Sequence, residues 1–205
     1  FGLWAMYVDA DAMNSSMNIL NEYQAGFALS QKDYYIDEDE HTKHIREEYV
    51  KHVEKMFTLF GQANAAEKAA TVLRLETRLA KAAFSNVELR DPIANYNKMS
   101  VEELQQLVPE VDWTVYFDAL FSMVQNGAEL SERLDSLSIG QIRHLQEAGK
   151  MLAEESLEDM KTLFTWQVID GSADFLTEEI FMQNFEFYGR TLSGRQEPTP
   201  LWKRA

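Results

Sequence analysis

The sequence of 205 residues has no cysteine, and it contains only four prolines, nine glycines and four histidines. The absence of cysteine excludes disulfide bonds, thiolate zinc sites and cysteine nucleophiles. No stretch approaches the run of about 20 apolar residues that a membrane-spanning helix needs. Basic residues are also scarce. With 19 of them against 34 acidic residues, the formal charge of −15 argues against nucleic acid and anionic membranes as partners.

The composition is that of a folded chain, because 45% of the residues are apolar and 12% are aromatic. A chain of this length buries about 70% of its unfolded surface, enough for a core without disulfides or metals. No internal repeat and no linker-like run divides the sequence, so residues 1–205 are interpreted as one domain. The sequence opens on Phe1 without a signal peptide and stops at Ala205 without a terminating signal. We therefore expect a piece of a longer protein.

The first residues alternate in a way that predicts one β-hairpin over about residues 2–25. Gly2–Asp9 is apolar on both faces, which is typical of a strand buried on both sides. Asp11–Ser15 carries turn residues. Ser16–Gln24 follows as the second strand, with one face formed by Met17, Ile19 and Tyr23.

From residue 37 to residue 205 the apolar spacing changes to three and four, which indicates helices. Six or seven helices are predicted, so the fold class is mostly α, a multi-helix domain with one N-terminal β-hairpin. Each of the first two predicted helices carries a stripe of apolar residues along one face. The first stripe consists of Ile45, Tyr49, Val53, Met56, Phe57 and Phe60. The second consists of Val72, Leu75, Leu79 and Ala83. Capping signals predict further helix starts at Ser100, Asp112, Ser138 and Ser156. Glycines predict helix ends at Gly61 and Gly194.

A search for chemistry finds no H-E-x-x-H, no G-x-S-x-G, no phosphate-binding loop and no G-x-G-x-x-G. The best metal candidate is one helix face that carries His41, His44, Glu48 and His52. One straight helix usually offers only two ligands to an ion, so a solvated helix flank explains the same pattern. His144 is isolated and is expected at the surface. We therefore assign no catalytic, substrate-binding or metal residue.

Acidic pairs and one sequon are the remaining candidates. Carboxylates at 37–40, 154–155 and 178–179 could perform acid–base chemistry or bind calcium. The last two pairs lie near predicted helix starts, where negative charge complements the helix dipole. Asn14-Ser15-Ser16 matches a glycosylation sequon, but turn residues are expected there in any case.

Three stretches together resemble the neprilysin and endothelin-converting-enzyme family of zinc metalloendopeptidases, which includes the bacterial oligopeptidase O type. Tyr7–Tyr35 resembles the family's hairpin, with an aspartate-rich turn and a later Lys-Asp-Tyr-Tyr. Arg74–Leu104 resembles a helix followed by R-D-P and Y-N-K-M-S. Phe187–Ala205 resembles a segment that ends in P-x-W-K-R. The stretches follow the family's order and span nearly the whole chain.

The resemblance implies two helical lobes around an internal cavity, with zinc held in a catalytic lobe by H-E-x-x-H and a later E-x-x-x-D. Those motifs lie beyond the segment that this sequence resembles. The chain is thus expected to be a fragment of the other lobe, which covers the cavity and limits substrate size. Zinc and peptide substrates are expected for the parent enzyme, and the fragment alone is expected to be inactive. The missing lobe is its expected partner, and self-association through exposed apolar surface is expected too.

The lack of cysteine departs from animal members of that family, which are rich in disulfides, and it points to a bacterial member. The compartment stays open, with a cell-envelope location slightly favoured over the cytoplasm. Two alternatives remain from other classes. One is a stand-alone acidic helical module that binds or scaffolds basic partners, and the other is a small metal-binding domain built on His41, His44 and His52.

Overall fold

The computed structural model describes residues 2–125 and 134–203, with only the backbone of Leu201. Within these residues the chain forms four strands, β1 (Trp4–Asp11), β2 (Asn14–Gln24), β3 (Asn97–Ser100) and β4 (Ser136–Ile139). The helices are α1 (Asp33–Ile36), α2 (Glu40–Leu59), α3 (Ala65–Ala82), α4 (Val101–Leu107), α5 (Trp113–Ser122), α6 (Ile142–Glu154), α7 (Leu157–Ser172) and α8 (Glu178–Asn184). A π-helix, Phe185–Thr191, continues α8. The prediction of a mostly helical fold with an N-terminal hairpin is confirmed.

The chain divides into two compact units. The helical unit comprises Phe27–Lys81 and Ser156–Ala205, and the sheet unit comprises Gly2–Gly26 and Ala82–Glu155. Each unit therefore draws on segments that are far apart in sequence. The described part of the chain has no helix that is both long and apolar enough to span a membrane.

The sheet has the strand order β1-β2-β4-β3. β1 and β2 form the predicted antiparallel hairpin, whose register is regular from Trp4 opposite Gln24 to Ala10 opposite Asn18 and then shifts at the tip. β4 runs parallel to β2 and antiparallel to β3. The hairpin thus forms one half of a sheet rather than standing alone.

Two details of the strand predictions are wrong. β1 is not buried on both sides, since residues 5 and 7–10 are all exposed. On β2, Met17 and Tyr23 of the predicted face are exposed and only Ile19 is buried, whereas the alternate positions Leu20, Glu22 and Gln24 are all buried. The pattern misled because two of those inward positions are polar.

The predicted helix start at Ser138 is wrong as well. Ser138 and Ile139 belong to β4, and α6 begins only at Ile142 with no side-chain cap. Leu137 and Ile139 are fully buried, as expected for a strand with neighbours on both sides. The pairing and burial of these residues in the central strand β4 therefore outweigh the local preference of Ser138 for a helix start.

The other helix boundaries follow the predicted signals. Ser100 and Glu103 form the predicted capping box, with both reciprocal hydrogen bonds present. Asp112 and Ser156 accept hydrogen bonds from the third residue of their helices, as N-caps do. Gly61 and Gly194 both have φ of +66°. This left-handed conformation ends a helix and has a low conformational energy mainly at glycine.

Each unit has its own core. In the helical unit the predicted stripe of α2 is buried except for Phe60, which follows the helix and is partly exposed. α3 buries Val72, Leu75 and Leu79, and α7 adds Leu163 and Trp166. In the sheet unit a cluster of strand and helix residues is buried, and its members are Leu20, Leu104, Val108, Trp113, Phe117, Leu137, Ile139 and Leu145.

Candidate functional site

The four side chains of the predicted metal face do not converge on one point. His41 and His44 are exposed, and Glu48 forms an ion pair with Lys51 at 2.7 Å. His52 is buried, so the solvated-flank interpretation is wrong for this residue. Among the described residues no three histidine, aspartate or glutamate side chains are grouped so as to hold a metal ion.

His52 lies in an aromatic cage inside the helical unit. Its ring stacks on Phe187 with centroids 5.0 Å apart, and Trp166 and Tyr188 approach it edge-on. Its Nδ1 lies 3.3 Å from the Gln183 amide nitrogen. Burial lowers the pKa of His52 to about 3, so the imidazole is neutral near pH 7.

The expectation of a surface position for His144 is wrong, because this residue is fully buried on α6. Burial lowers its pKa to about 4. Both buried histidines thus act as neutral core residues.

A buried carboxyl group in the helical unit, which the sequence analysis did not identify, is the centre of a hydrogen-bond network. Glu76 on α3 is fully buried, and its Oε2 accepts hydrogen bonds from Tyr35 at 2.9 Å and Tyr49 at 2.7 Å. Its Oε1 accepts from the Ala28 backbone at 3.2 Å. Tyr35 and Tyr49 in turn accept from Leu29 N–H and Trp166 Nε1–H, which extends the network across the helical unit.

The electrostatics of this network favour a protonated acid. Burial raises the pKa of Glu76 to about 8, although the bonds from both tyrosines oppose the rise. Asp170 contributes a further increase, and burial raises its own pKa to about 6. Because Glu76 is sealed from solvent, the network can hold a proton but cannot reach a substrate. The only sequence signal was a glutamate on the buried face of an otherwise apolar stripe.

The sheet unit contains a second buried acid. Glu22 on β2 is 2% exposed, and its Oε2 accepts from the Gln141 backbone at 3.4 Å. Burial raises its pKa to about 8. The side-chain amide of Gln24 exchanges two hydrogen bonds with the backbone of Phe84. The backbone N–H of Gln24 donates a third to Gln141 Oε1 at 2.7 Å, which ties β2 to the start of α6.

The acidic pairs and the sequon have local roles. Asp39 caps α2 by accepting from Thr42 N–H at 3.0 Å. Glu178 and Glu179 lie in the first turn of α8, as predicted, whereas residues 154 and 155 end α6 just before the cap of α7. Asn14 begins β2, and its Oδ1 accepts from Ser16 Oγ at 2.7 Å.

Two of the family-like stretches meet at the hairpin tip. Asp11 is 2% exposed and accepts from the Tyr96 hydroxyl at 2.7 Å and from Lys98 Nζ at 2.9 Å, both from the Y-N-K-M-S segment. The hydrogen bond from Lys98, and after it the one from Tyr96, lowers the pKa of Asp11 to about 2. These motif residues hold the fold together. Of the third stretch, residues 204 and 205 lie outside the described residues.

Known proteins match this chain over its whole length. Neprilysin-11 of Caenorhabditis elegans is 23% identical over 97% of the chain and 24% of its own length, and endothelin-converting enzyme 1 of Rattus norvegicus is 23% identical over 98% and 26%. The zinc metalloprotease Zmp1 of Mycobacterium tuberculosis, in an open state, superposes with a TM-score of 0.86 and 28% identity, covering all of this chain and 31% of its own.

The chain therefore spans about a quarter of the length of the curated relatives it matches. The sequence model for the N-terminal part of peptidase family M13 matches residues 1–205. Together with the fold, this match confirms the resemblance to neprilysin and its relatives: the chain belongs to peptidase family M13 and represents an N-terminal part of such a peptidase.

Proposed function

We propose that this chain is a fragment of the non-catalytic lobe of a zinc metalloendopeptidase and that this lobe covers the active-site cavity of the parent enzyme. The supporting observation is a family match over residues 1–205 in a sequence that contains no H-E-x-x-H. Zinc belongs to the parent in this proposal. The histidines of this chain do not fit it: among the described residues no third ligand joins the exposed His41 and His44, His52 is enclosed by aromatic rings, and His144 is buried.

The lobe acts by exclusion in this proposal. A wall over the catalytic cavity admits short unfolded peptides and rejects folded proteins, so selectivity depends on cavity size. Each unit has a buried core of its own, so each can contribute a close-packed surface to such a wall. The residues that perform the chemistry come from the rest of the parent.

The first experiment uses the chain alone. Incubation with zinc and a mixture of peptides is expected to yield no cleavage, and the parent enzyme serves as the positive control. Chelator-sensitive hydrolysis by this chain would refute the assignment to a non-catalytic lobe. In the parent, kcat/KM is expected to fall sharply as a substrate series lengthens from short peptides to folded proteins. Equal cleavage of both would contradict the covering role.

We also propose that the isolated chain self-associates through α7. This helix buries one face, and its opposite side exposes a second apolar stripe formed by Leu157, Phe164 and Val168, of which Leu157 is 69% exposed. A helix that is apolar on two sides is normally covered on both. Analytical ultracentrifugation tests this: the double variant Phe164→Ser, Val168→Ser should be monomeric at concentrations where the wild type is not. A wild type that is monomeric throughout would refute the proposal.

A further inference from the structure

The outer edge of β1 is an open sheet edge in the described structure. β1 pairs with β2 on one side, and the strand order places nothing on its other side. Its backbone N–H and C=O groups on that side are available to another extended chain. The opposite edge, β3, has four residues, carries Lys98 and leads directly into α4. β1 is longer and lacks both lysine and proline, the usual protections of an edge.

The side chains along β1 add chemical selectivity to this edge. Tyr7 and Asp9 project to one face of the hairpin, because they occupy alternate positions of the strand. Tyr23 shares that face, since it pairs with Ala5. Tyr7 and Tyr23 are 49% and 40% exposed. Two exposed tyrosine rings and a carboxylate on one face favour cationic side chains.

The charge of the segment favours a basic partner over a second copy of the chain. Residues 2–31 contain no lysine, arginine or histidine. Asp9 is the exposed carboxylate of β1, because Asp11 is buried and paired with Lys98. Pairing two copies of β1 would add no cation to Asp9, whereas an extended basic peptide brings opposite charge. The regular register runs from Trp4 to the shift after Ala10, so the usable edge is about seven residues or about 23 Å long.

We propose that β1 binds an extended basic peptide by strand addition, with its basic side chains at alternate positions over Tyr7, Tyr23 and Asp9. The backbone bonds of the added strand supply affinity, and the tyrosine face selects for charge. The choice of a peptide as occupant rests on the proposed function. The binding itself requires no catalysis.

The test measures binding of a labelled eight-residue peptide of alternating lysine and threonine to the 205-residue chain by fluorescence anisotropy. A peptide with glutamate in place of lysine should bind at least tenfold more weakly. Two further peptides have backbone N-methyl groups, one at all odd positions and the other at all even positions. Only one of these should lose binding, because an added strand directs alternate N–H groups toward its neighbour. Equal binding of the two methylated peptides, or of the lysine and glutamate peptides, would overturn the proposal.

Matched variants locate the site. The double variant Tyr7→Ser, Tyr23→Ser should weaken binding about tenfold, from two cation–π contacts at exposed positions. Val115→Ser, at an exposed position on α5 of the same unit, should leave binding unchanged. A dimer that dissociates on Tyr7→Ser would assign the edge to a second copy and overturn the proposal. Failure of peptide binding with a parent that still cleaves peptides would refute this inference alone, whereas an inactive parent with intact binding would refute only the proposed function.

Discussion

Replacing Glu76 by glutamine tests whether the buried carboxyl group is protonated in the folded chain. Glutamine keeps the shape of the side chain, and its oxygen can still accept from Ala28 N–H. Its amide nitrogen cannot accept the two tyrosine hydroxyl protons that Oε2 now receives. The variant therefore loses hydrogen bonds at every pH, at a cost of about 1–2 kcal/mol.

The pH dependence of the wild type is the informative quantity. Burial raises the pKa of Glu76 from 4.5 to about 8, so the folded state holds a proton that the unfolded state releases. Stability from this group is complete below pH 4.5 and is lost as the pH rises toward 8. A shift of this size corresponds to a loss of about 3 kcal/mol of unfolding free energy between pH 5 and pH 8. A glutamine side chain does not titrate in this range, so the variant Glu76→Gln lacks this loss.

The assay is urea unfolding followed by tryptophan fluorescence at pH 5, 6, 7 and 8. Wild type should be more stable than Glu76→Gln at pH 5, and the difference should shrink or reverse by pH 8. Glu22 is present in both proteins and cancels in the comparison. Glu67→Gln, at an exposed position on the same helix, is the matched control and should follow the wild type. A difference between wild type and Glu76→Gln that stays constant from pH 5 to pH 8 would refute the buried-acid argument.

Three further substitutions have expected outcomes. His52→Phe should gain more stability, or lose less, than the wild type when the pH falls from 7 to 5, measured by urea unfolding, because the lowered pKa of His52 gives the wild type a destabilising contribution below pH 6.5 that the variant lacks; an equal change in both proteins would contradict this. Gly149→Ala should cost about 1–3 kcal/mol in thermal unfolding, since its added methyl group would overlap the Val108 side chain, whereas Lys150→Ala on the exposed face should be nearly neutral. Ser100→Ala should cost about 1 kcal/mol by loss of the capping box, and a cost near zero would show that α4 does not depend on its cap.

The sequence predicted those parts of the fold that local patterns determine. The stripes of α2 and α3 were predictable because an amphipathic helix repeats its apolar positions over several turns. Ser100, Asp112 and Gly61 were predictable because each acts on its own neighbours. β3 and β4 were not, because strands of four residues offer too few positions for a periodic signal.

The buried polar groups were unpredictable for a different reason. Whether His52 or His144 is inside depends on which side of its helix is covered by other elements, and this is a long-range property. Glu22 and Glu76 break the rule that acidic residues lie outside, and each is stabilised by partners distant in sequence. Tyr49 and Glu76, for instance, are 27 positions apart. The candidate metal face looked plausible only because the surroundings of His52 were unknown.

The contacts at the hairpin tip explain why the family could be identified from a sequence that contains no catalytic motif. Asp11 belongs to the first family-like stretch, while Tyr96 and Lys98 belong to the second, 85 and 87 positions later. A buried carboxylate needs donors of this kind, because an unpaired charge in the interior is strongly destabilising. A change at Asp11 alone would leave the Lys98 ammonium and the Tyr96 hydroxyl without their acceptor. Separate stretches that meet at one buried carboxylate are constrained together by stability, so the resemblance they carry is informative about fold and family and silent about catalysis.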